Sequence, residues 1–235
     1  MKYTDQSRLL LAVDNIIFGY DEEGFKLLLI QRGFTPEKGK WSLMGGFLKK
    51  EESLIQAANR ILKQLTGLSD VFMEELKVFS KPDRDPVERT IAVAYVALID
   101  IQKYKKQMNL NFHAKWFCFN EMPALIFDHK EMVDLAINKL RYKAAQQPLL
   151  FELLPDKFTL PQLQELYECL YNTELDKRNF IRRVLSAGIL EKLNEKDKEN
   201  SKKGAYYFRI NRKKYNNNFQ SFLNFIPNAE KLVRL

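Results

Sequence analysis

Acidic and basic side chains alternate in the loop at residues 81–89, which two prolines stiffen. Arginines that flank carboxylates suit the recognition of phosphate or of polyol hydroxyls, because such groups take several directed hydrogen bonds. Trp41 could stack on a base or a sugar ring nearby. The sequence therefore predicts an effector pocket formed by Trp41, Arg84, Asp85 and Arg89. The alternatives are a self-satisfied surface turn and a tryptophan in the core.

A second set of polar side chains lies on a predicted helix at residues 177–187. At 100° per residue, Phe180, Val184 and Leu185 fall on one arc, which we expect to pack against the core, and arginines and an asparagine fill the opposite arc. Arginine can bond guanine and phosphate, and asparagine can bond adenine, so this face suits a DNA major groove. A surface helix with solvated charges is the alternative. The predicted DNA-binding residues are Lys177, Arg178, Asn179, Arg182, Arg183, Lys202 and Lys203.

The positive charge of the chain is confined to one region. Residues 177–214 contain 13 Lys and Arg against 4 Asp and Glu, a net +9, whereas the whole chain of 235 residues carries +8. The rest of the chain is therefore close to neutral. A basic patch in one short region indicates an anionic partner, and nucleic acid is the first candidate.

Residues 46–68 resemble the Nudix box, G-x5-E-x7-R-E-U-x-E-E-x-G-U, in which U is a bulky aliphatic residue. The residues that match this template are Gly46, Glu52, Arg60, Leu62, Gly67 and Leu68. The three glutamates of its R-E-U-x-E-E core are replaced by Ile61, Gln64 and Leu65. The segment also has the features of an ordinary amphipathic helix, with Ser53 and Gln56 as a capping box and Gly67 as its stop.

In active members of the resembled family the missing glutamates hold magnesium. Mg²⁺ requires oxygen ligands, and Ile61 and Leu65 have none, whereas Gln64 has one neutral carbonyl. Glu51 and Glu52 remain, too few for two metal ions. We therefore expect no metal, no cofactor and no enzymatic activity. The alternative is an active Nudix hydrolase of ADP-ribose or a related nucleoside diphosphate.

An α+β fold with two domains is predicted from the remaining pattern. Strands are expected at residues 9–18, 25–30, 71–80, 90–99 and 114–119, and a helix at residues 130–145. Residues 123–129 are predicted to be a packing turn. Together they predict an α/β/α sandwich over residues 1–146, followed by a boundary at residues 146–148.

Residues 149–235 have the outline of a winged helix-turn-helix domain. Thr159 and Gln162 form a predicted capping box for a first helix, and Asp176 caps the second. A polar loop is expected at residues 191–203 and a strand at residues 205–210.

Metal ligation and membrane insertion are not expected. Cys118, Cys169, His113 and His129 lack the spacing of metal ligands, and both cysteines are predicted to be reduced and buried. No run of about 18 apolar residues occurs, so no membrane span is expected. The N-terminal residues lack the apolar stretch of a signal peptide, which predicts a cytoplasmic protein.

Together these features resemble the Nudix-related transcriptional regulators. Residues 41–47, 83–86, 123–129, 158–163 and 176–180 carry the resemblance, beside the degenerate Nudix box. It implies an inactive Nudix-like domain that senses a metabolite, a winged helix that binds double-stranded operator DNA, and a homodimer. One branch of this family responds to ADP-ribose and another to pentoses, L-arabinose especially; the sequence is more similar to the pentose branch. An RNA-binding module is a further alternative, because winged helices also bind RNA.

Overall fold

The first half of the chain folds around one sheet. The computed structural model describes residues 6–21, 24–108, 114–146, 148–198 and 204–217. Within these ranges the sheet contains β1 (Leu10–Asp21), β2 (Gly24–Gln31), β3 (Trp41–Ser42), β4 (Met44–Phe47), β5 (Glu74–Phe79), β6 (Thr90–Asp100) and β7 (Lys115–Cys118). The order is β3-β2-β1-β6-β5, while β4 pairs with β1 and β7 pairs with β2. β1 and β6 are central and apolar, and most of their side chains are buried.

Helix α1 (Leu54–Thr66) is the helix of the degenerate Nudix box. Its predicted capping box is confirmed, because the Ser53 side chain accepts from the Gln56 amide and the Gln56 side chain accepts from the Ser53 amide. Gly67 ends the helix at a φ of 79°, the left-handed region that favours glycine. The buried face of α1 consists of Ala57, Ala58, Ile61, Leu62 and Thr66.

The short strands β3 and β4 were not predicted. Their stretch is too short and too rich in glycine to show alternation, so the sequence indicated only a turn before α1. β4 forms because it pairs with β1, with Asp14 opposite Gly45. A Cβ at Gly45 would lie 2.3 Å from Asp14 Oδ1, so a larger residue there would collide with that carboxylate. The predicted strand at residues 71–80 is also shorter, since only Glu74–Phe79 pairs with β6.

Further helices and a second sheet follow along the chain. The helices α2 (Ile101–Tyr104) and α3 (His129–Gln146) precede α4 (Leu160–Tyr171), and 3₁₀ turns lie at Phe119–Glu121 and Leu149–Leu153. The Thr159 and Gln162 capping box of α4 is confirmed. Helix α5 (Lys177–Ser186) begins as predicted at Asp176, whose Oδ1 accepts from the Asn179 amide at 2.8 Å.

The wing differs from the sequence expectation. Residues 191–203 were predicted to be a loop, but β9 (Leu190–Asp197) pairs with β10 (Ala205–Ile210), which also pairs with β8 (Phe158–Thr159). The lysine and glutamate content of β9 concealed a strand that β10 stabilises by pairing. Helix α6 (Arg212–Asn217) is the last described element.

Two burial predictions were wrong. Leu185 is 45% exposed, because only Phe180 and Val184 of α5 reach the core. Cys169 is exposed and Cys118 is half-buried, whereas both were predicted to be buried; both are free thiols.

Contacts divide the chain into two units. The first contains residues 1–18, 26–98 and 104–136, and the second contains residues 19–25, 99–103 and 137–235. The boundary expected at residues 146–148 stays a prediction. Among the described residues, no helix combines the length and apolar character needed to cross a membrane.

Candidate effector cavity and nucleic-acid interface

The first unit contains a cavity of about 370 Å³ beside β4. It brings together side chains from β1, β2, β4, α1, the loop before β6 and the start of α3. The lining residues are Ala12, Asp14, Ile30, Gln31, Arg32, Gly33, Phe34, Ser42, Leu43, Gly45, Gly46, Phe47, Leu65, Arg84, Asp85, Thr90, Phe127 and His129. Its lining is thus mostly apolar with a few charged groups, as in sites for small molecules.

Arg84 forms the charged floor of this cavity. Its side chain is 3% exposed and donates from Nε and Nη2 to the two carboxylate oxygens of Asp128, at 2.9 and 2.8 Å. The Asp14 carboxylate lies close by, with its Oδ2 3.7 Å from Arg84 Nη2. A bidentate pair fixes a guanidinium in one orientation, so Arg84 and Asp128 hold each other rigidly below the cavity.

His129 lies at the floor beside Asp14. Its Nδ1 accepts a hydrogen bond from the Leu43 amide at 3.1 Å, which leaves the ring proton on Nε2. Nε2 in turn lies 3.8 Å from Asp14 Oδ1. Burial lowers the pKa of His129 from 6.5, against the opposing effect of Asp14. The ring is therefore neutral at pH 7 and presents one N–H donor toward Asp14.

Arg32 is held between aromatic rings at another part of the wall. Its guanidinium carbon lies 4.0 Å from the centre of the Phe34 ring and 5.4 Å from that of Phe127. Its Nε donates to the Pro36 carbonyl at 2.7 Å. Burial lowers the pKa of Arg32, yet an arginine remains charged in proteins. Among the described residues no carboxylate forms an ion pair with it, so its terminal nitrogens remain available to an anion.

Of the four predicted effector residues, two line the cavity and two do not. Arg84 and Asp85 line the cavity, and Asp85 Oδ1 also accepts from the Val87 amide at 2.9 Å. Trp41 does not line it; its ring packs edge-on against Phe117, 4.6 Å between centres.

Arg89 is not among the lining residues either. It donates from Nη1 to the carbonyl of Lys81 and from Nη2 to that of Ser80, at 3.1 and 2.9 Å. It therefore ties together the two ends of the loop that carries Arg84.

Sequence reasoning did not find Asp14, Arg32, Asp128 and His129. A carboxylate inside an apolar strand, as Asp14 is in β1, was a signal that could have identified it. Residues 123–129, predicted to be a packing turn, contribute His129 to the cavity lining and Asp128 to the pair with Arg84. No local pattern connects these positions to Asp14, because only the fold brings them together.

The remaining polar groups of the Nudix box are bound to one another. Arg60 donates to Glu52 at 2.8 and 2.5 Å, to Gln64 Oε1 at 3.2 Å and to the Phe47 carbonyl at 3.0 Å. The hydrogen bonds from Arg60 lower the pKa of Glu52 to about 2, with a further contribution from the Lys49 amide.

The two apolar replacements differ in their surroundings. Ile61 is 2% exposed, and a Cβ at Gly46 would lie 3.1 Å from its side chain. Leu65 is half-buried and lines the cavity. Within the described ranges, no three His, Cys, Asp or Glu side chains form a group that could hold a metal ion.

The predicted DNA-binding residues of α5 are mostly exposed. Lys177, Arg178, Asn179 and Arg182 are exposed and Arg183 is half-buried. Arg182 donates from Nη2 to Asn179 Oδ1 at 2.8 Å. In the part of the chain that is described, neither Arg178 nor Arg182 forms an ion pair with a carboxylate. Lys202 and Lys203 lie outside the described residues.

The β9–β10 hairpin adds cations that the sequence reading did not single out. Lys192 Nζ lies 3.5 Å and Lys196 Nζ 4.5 Å from the centre of the Tyr206 ring. The two lysines thus stack on one aromatic side chain. Such a cluster of cations on an aromatic side chain suits contacts to a phosphate backbone.

The chain matches two domain families. Residues 9–136 match the NUDIX domain, and residues 150–210 match the NrtR DNA-binding winged helix domain. Among proteins of known function, an ADPR responsive transcriptional repressor, NtrR, of Acinetobacter baylyi is 31% identical over 226 residues, 94% of this chain and 90% of the relative. An ADP-ribose pyrophosphatase of Methanocaldococcus jannaschii is 35% identical over 123 residues, 52% of this chain and 70% of the relative.

Solved structures give the same two-part similarity. Shewanella oneidensis NrtR superposes with a TM-score of 0.73 at 30% identity, over 88% of this chain and 96% of that one. The structure of the same protein in complex with a 27mer DNA superposes with a TM-score of 0.73, over 88% of this chain and 95% of that one. Its NUDIX domain in complex with ADP ribose gives 0.53 at 30% identity, over 60% of this chain and 94% of that one.

Proposed function

The chain belongs to the NrtR-like family, in which a Nudix domain precedes a winged-helix DNA-binding domain, and from this premise we propose that it is a transcriptional repressor responsive to ADP-ribose. The observation that carries the DNA-binding part is the exposed face of α5. Arg178, Asn179 and Arg182 lie there, and neither arginine has a carboxylate partner among the described residues. Such a face can enter a major groove and read base edges.

The cavity of the first unit supports ADP-ribose as the ligand. ADP-ribose has a diphosphate, and the terminal nitrogens of Arg32 can donate to it in a forked geometry. Phe34 is 62% exposed at the cavity wall, and Arg32 covers one face of its ring, so the opposite face can stack on an adenine.

The degenerate Nudix box supports binding without hydrolysis. A dimetal site needs several carboxylates, and Leu65 places a hydrocarbon side chain in the cavity where the template has a glutamate. Glu52 is already paired with Arg60. We therefore propose that the domain retains ADP-ribose intact, and that the hydrolase alternative does not apply.

The pentose expected from the sequence stays a prediction. Two of the relatives described above are named for ADP-ribose, and none for a pentose. L-arabinose is therefore the comparison ligand in the test below rather than the proposed effector.

The protein also acts as a homodimer in this proposal, because two winged helices are needed to read the two halves of a palindromic operator. Such a repressor would act in the cytoplasm, where operators are accessible. Sedimentation velocity with and without duplex DNA measures the oligomeric state.

Calorimetric titration of the full-length protein with ADP-ribose, without divalent metal, tests the ligand. We expect Arg32→Ala to lose about 1.5–3 kcal/mol of binding free energy, the usual contribution of a hydrogen bond to a charged group. Lys38→Ala removes an exposed cation that does not line the cavity, and it should bind like the wild type. Tighter binding of L-arabinose than of ADP-ribose would contradict the proposed effector.

AMP release in the presence of Mg²⁺ or Mn²⁺ tests the absence of hydrolysis. We expect no release above a control without protein. Metal-dependent release that Glu52→Gln abolishes would restore the hydrolase alternative.

A further inference from the structure

The Asp14 carboxylate has no hydrogen-bond partner among the described residues. It is 4% exposed and lines the cavity. Its nearest cationic groups, Arg84 Nη2 and His129 Nε2, lie 3.7 and 3.8 Å away, beyond the 2.7–3.2 Å typical of N–H···O hydrogen bonds. A buried carboxylate without a donor is costly, so a ligand that supplies a donor here gains binding energy.

His129 offers a hydrogen-bond donor that matches this acceptor. The Leu43 amide occupies Nδ1, so the Nε2 proton points toward Asp14 without reaching it. An unfilled acceptor and an unfilled donor therefore face each other across 3.8 Å, at the floor of the same cavity. The Arg84–Asp128 pair holds the guanidinium beside Asp14 in a fixed position.

We propose that Asp14 and His129 together bind one hydroxyl group of a sugar ring, which is the terminal ribose of ADP-ribose or a free pentose and not the adenosine ribose. The hydroxyl oxygen accepts from His129 Nε2 and its hydrogen is donated to Asp14 Oδ1, because a hydroxyl is both donor and acceptor. The geometry permits this, since one oxygen can lie within hydrogen-bond distance of both atoms when they are 3.8 Å apart. This assignment deepens the proposed function and rests on its claim that the cavity binds an effector that contains a sugar.

Other ligand chemistries fit the pair less well. Phosphate would meet the negative charge of Asp14. A cation would be attracted by Asp14 but would face the N–H of His129, and a metal ion could not coordinate a protonated Nε2. A neutral sugar hydroxyl satisfies both groups. Two sources share this chemistry, the terminal ribose of ADP-ribose and a free pentose.

The test compares ADP-ribose with ADP, which keeps the adenosine ribose but has no second sugar, and with a free pentose. The full-length protein is titrated by calorimetry with ADP-ribose, with ADP, which lacks the terminal ribose, and with L-arabinose. We expect Asp14→Asn to lower the affinity for ADP-ribose at least about tenfold, whereas the affinity for ADP should change less than about twofold. If the sugar is a free pentose, the tenfold loss appears with L-arabinose instead. Either result supports the hydroxyl site.

His129→Asn is the second variant. Asparagine can place an oxygen near the position of Nδ1, keeping the acceptor for the Leu43 amide while removing the Nε2 donor. It should reproduce the selective loss of Asp14→Asn. Asp134→Asn changes an exposed carboxylate on α3 that pairs with Lys130, and it serves as the matched control with wild-type affinities. Thermal unfolding of each variant checks that it is folded.

The outcomes separate this site from the proposed function. Equal losses for ADP-ribose and ADP, or unchanged affinities for both ADP-ribose and L-arabinose in both variants, would overturn the hydroxyl site and leave the proposed function intact. Wild-type protein that binds neither ADP-ribose nor L-arabinose would overturn the proposed function and the hydroxyl site with it.

Discussion

Helices α1 and α5 each bury one face and expose polar groups on the other, but they differ in what those groups can still bind. In α1, Arg60 donates to Glu52, to Gln64 and to the Phe47 carbonyl, so its hydrogen bonds are made within the protein. In α5, Arg178 and Arg182 have no carboxylate partner among the described residues. A charged side chain can recognise an external ligand only when the protein does not already occupy it.

The same contrast applies to the apolar faces. α1 buries Ile61 against Gly46, and the Nudix template has a glutamate at the position of Ile61. α5 buries only Phe180 and Val184, which leaves most of its surface for a partner. α1 is thus a helix converted to structural use, and α5 is a helix with an open polar face.

The largest expected effect follows from returning a glutamate to α1. Ile61→Glu would bury a charge against Gly46 without a counter-charge, so it should lower the free energy of unfolding by about 3 kcal/mol or more. Leu65→Glu should cost much less, because Leu65 is half-buried at the cavity. Urea unfolding measures both, with Ile61→Val as a control that should lose about 0.5–1.5 kcal/mol. Equal destabilisation by the two glutamates would contradict the distinction between a packed and a cavity-facing position.

The next largest effect concerns α5. Arg178→Ala should cost about 1–3 kcal/mol of binding to a duplex that the wild-type protein selects from a random pool, and should relax specificity at one position in each half-site. Fluorescence anisotropy with the selected and a scrambled duplex measures it. Arg60→Ala is the matched control on α1 and should leave DNA affinity unchanged. A DNA-binding loss in Arg60→Ala but not in Arg178→Ala would reverse the comparison.

The smallest effect depends on pH. The hydrogen bonds from Arg60 lower the pKa of Glu52 from 4.5 to about 2, so the folded state favours the ionised carboxylate. The stabilisation is complete above pH about 4.5 and disappears as the pH falls through about 2. Glu52→Gln should therefore lower the Tm at pH 7, and the difference from the wild type should shrink between pH 4.5 and 2. A difference that is constant over this range would show that Glu52 acts through packing alone.

Local features of the sequence predicted local structure well. Ser53 and Gln56, Thr159 and Gln162, and Asp176 each cap a helix within four residues, so short spacings suffice to identify them. The exposure of Arg178 and Asn179 followed from the helical period for the same reason. The two-domain fold was predicted because the helices and strands follow in a recognisable order.

Features that depend on distant pairing could not be predicted in this way. β9 is lysine-rich and becomes a strand only by pairing with β10. The cavity brings together Asp14 and Arg84, and Asp128 pairs with Arg84; the three residues are separated by 44 residues or more and have no common pattern. Trp41 and Arg89 were predicted in the pocket from residue type. In the structure the Trp41 ring packs against an aromatic neighbour, and Arg89 donates to backbone carbonyls.

Binding of the selected duplex by the full-length protein, with and without saturating ADP-ribose and without divalent metal, tests most directly whether the cavity controls the winged helix. Coupling between two sites of one protein amounts to 1–3 kcal/mol in typical cases, so ADP-ribose should change the Kd for the duplex roughly 5- to 150-fold. The scrambled duplex should show no comparable change. A duplex Kd that stays constant while calorimetry shows ADP-ribose bound would contradict the account.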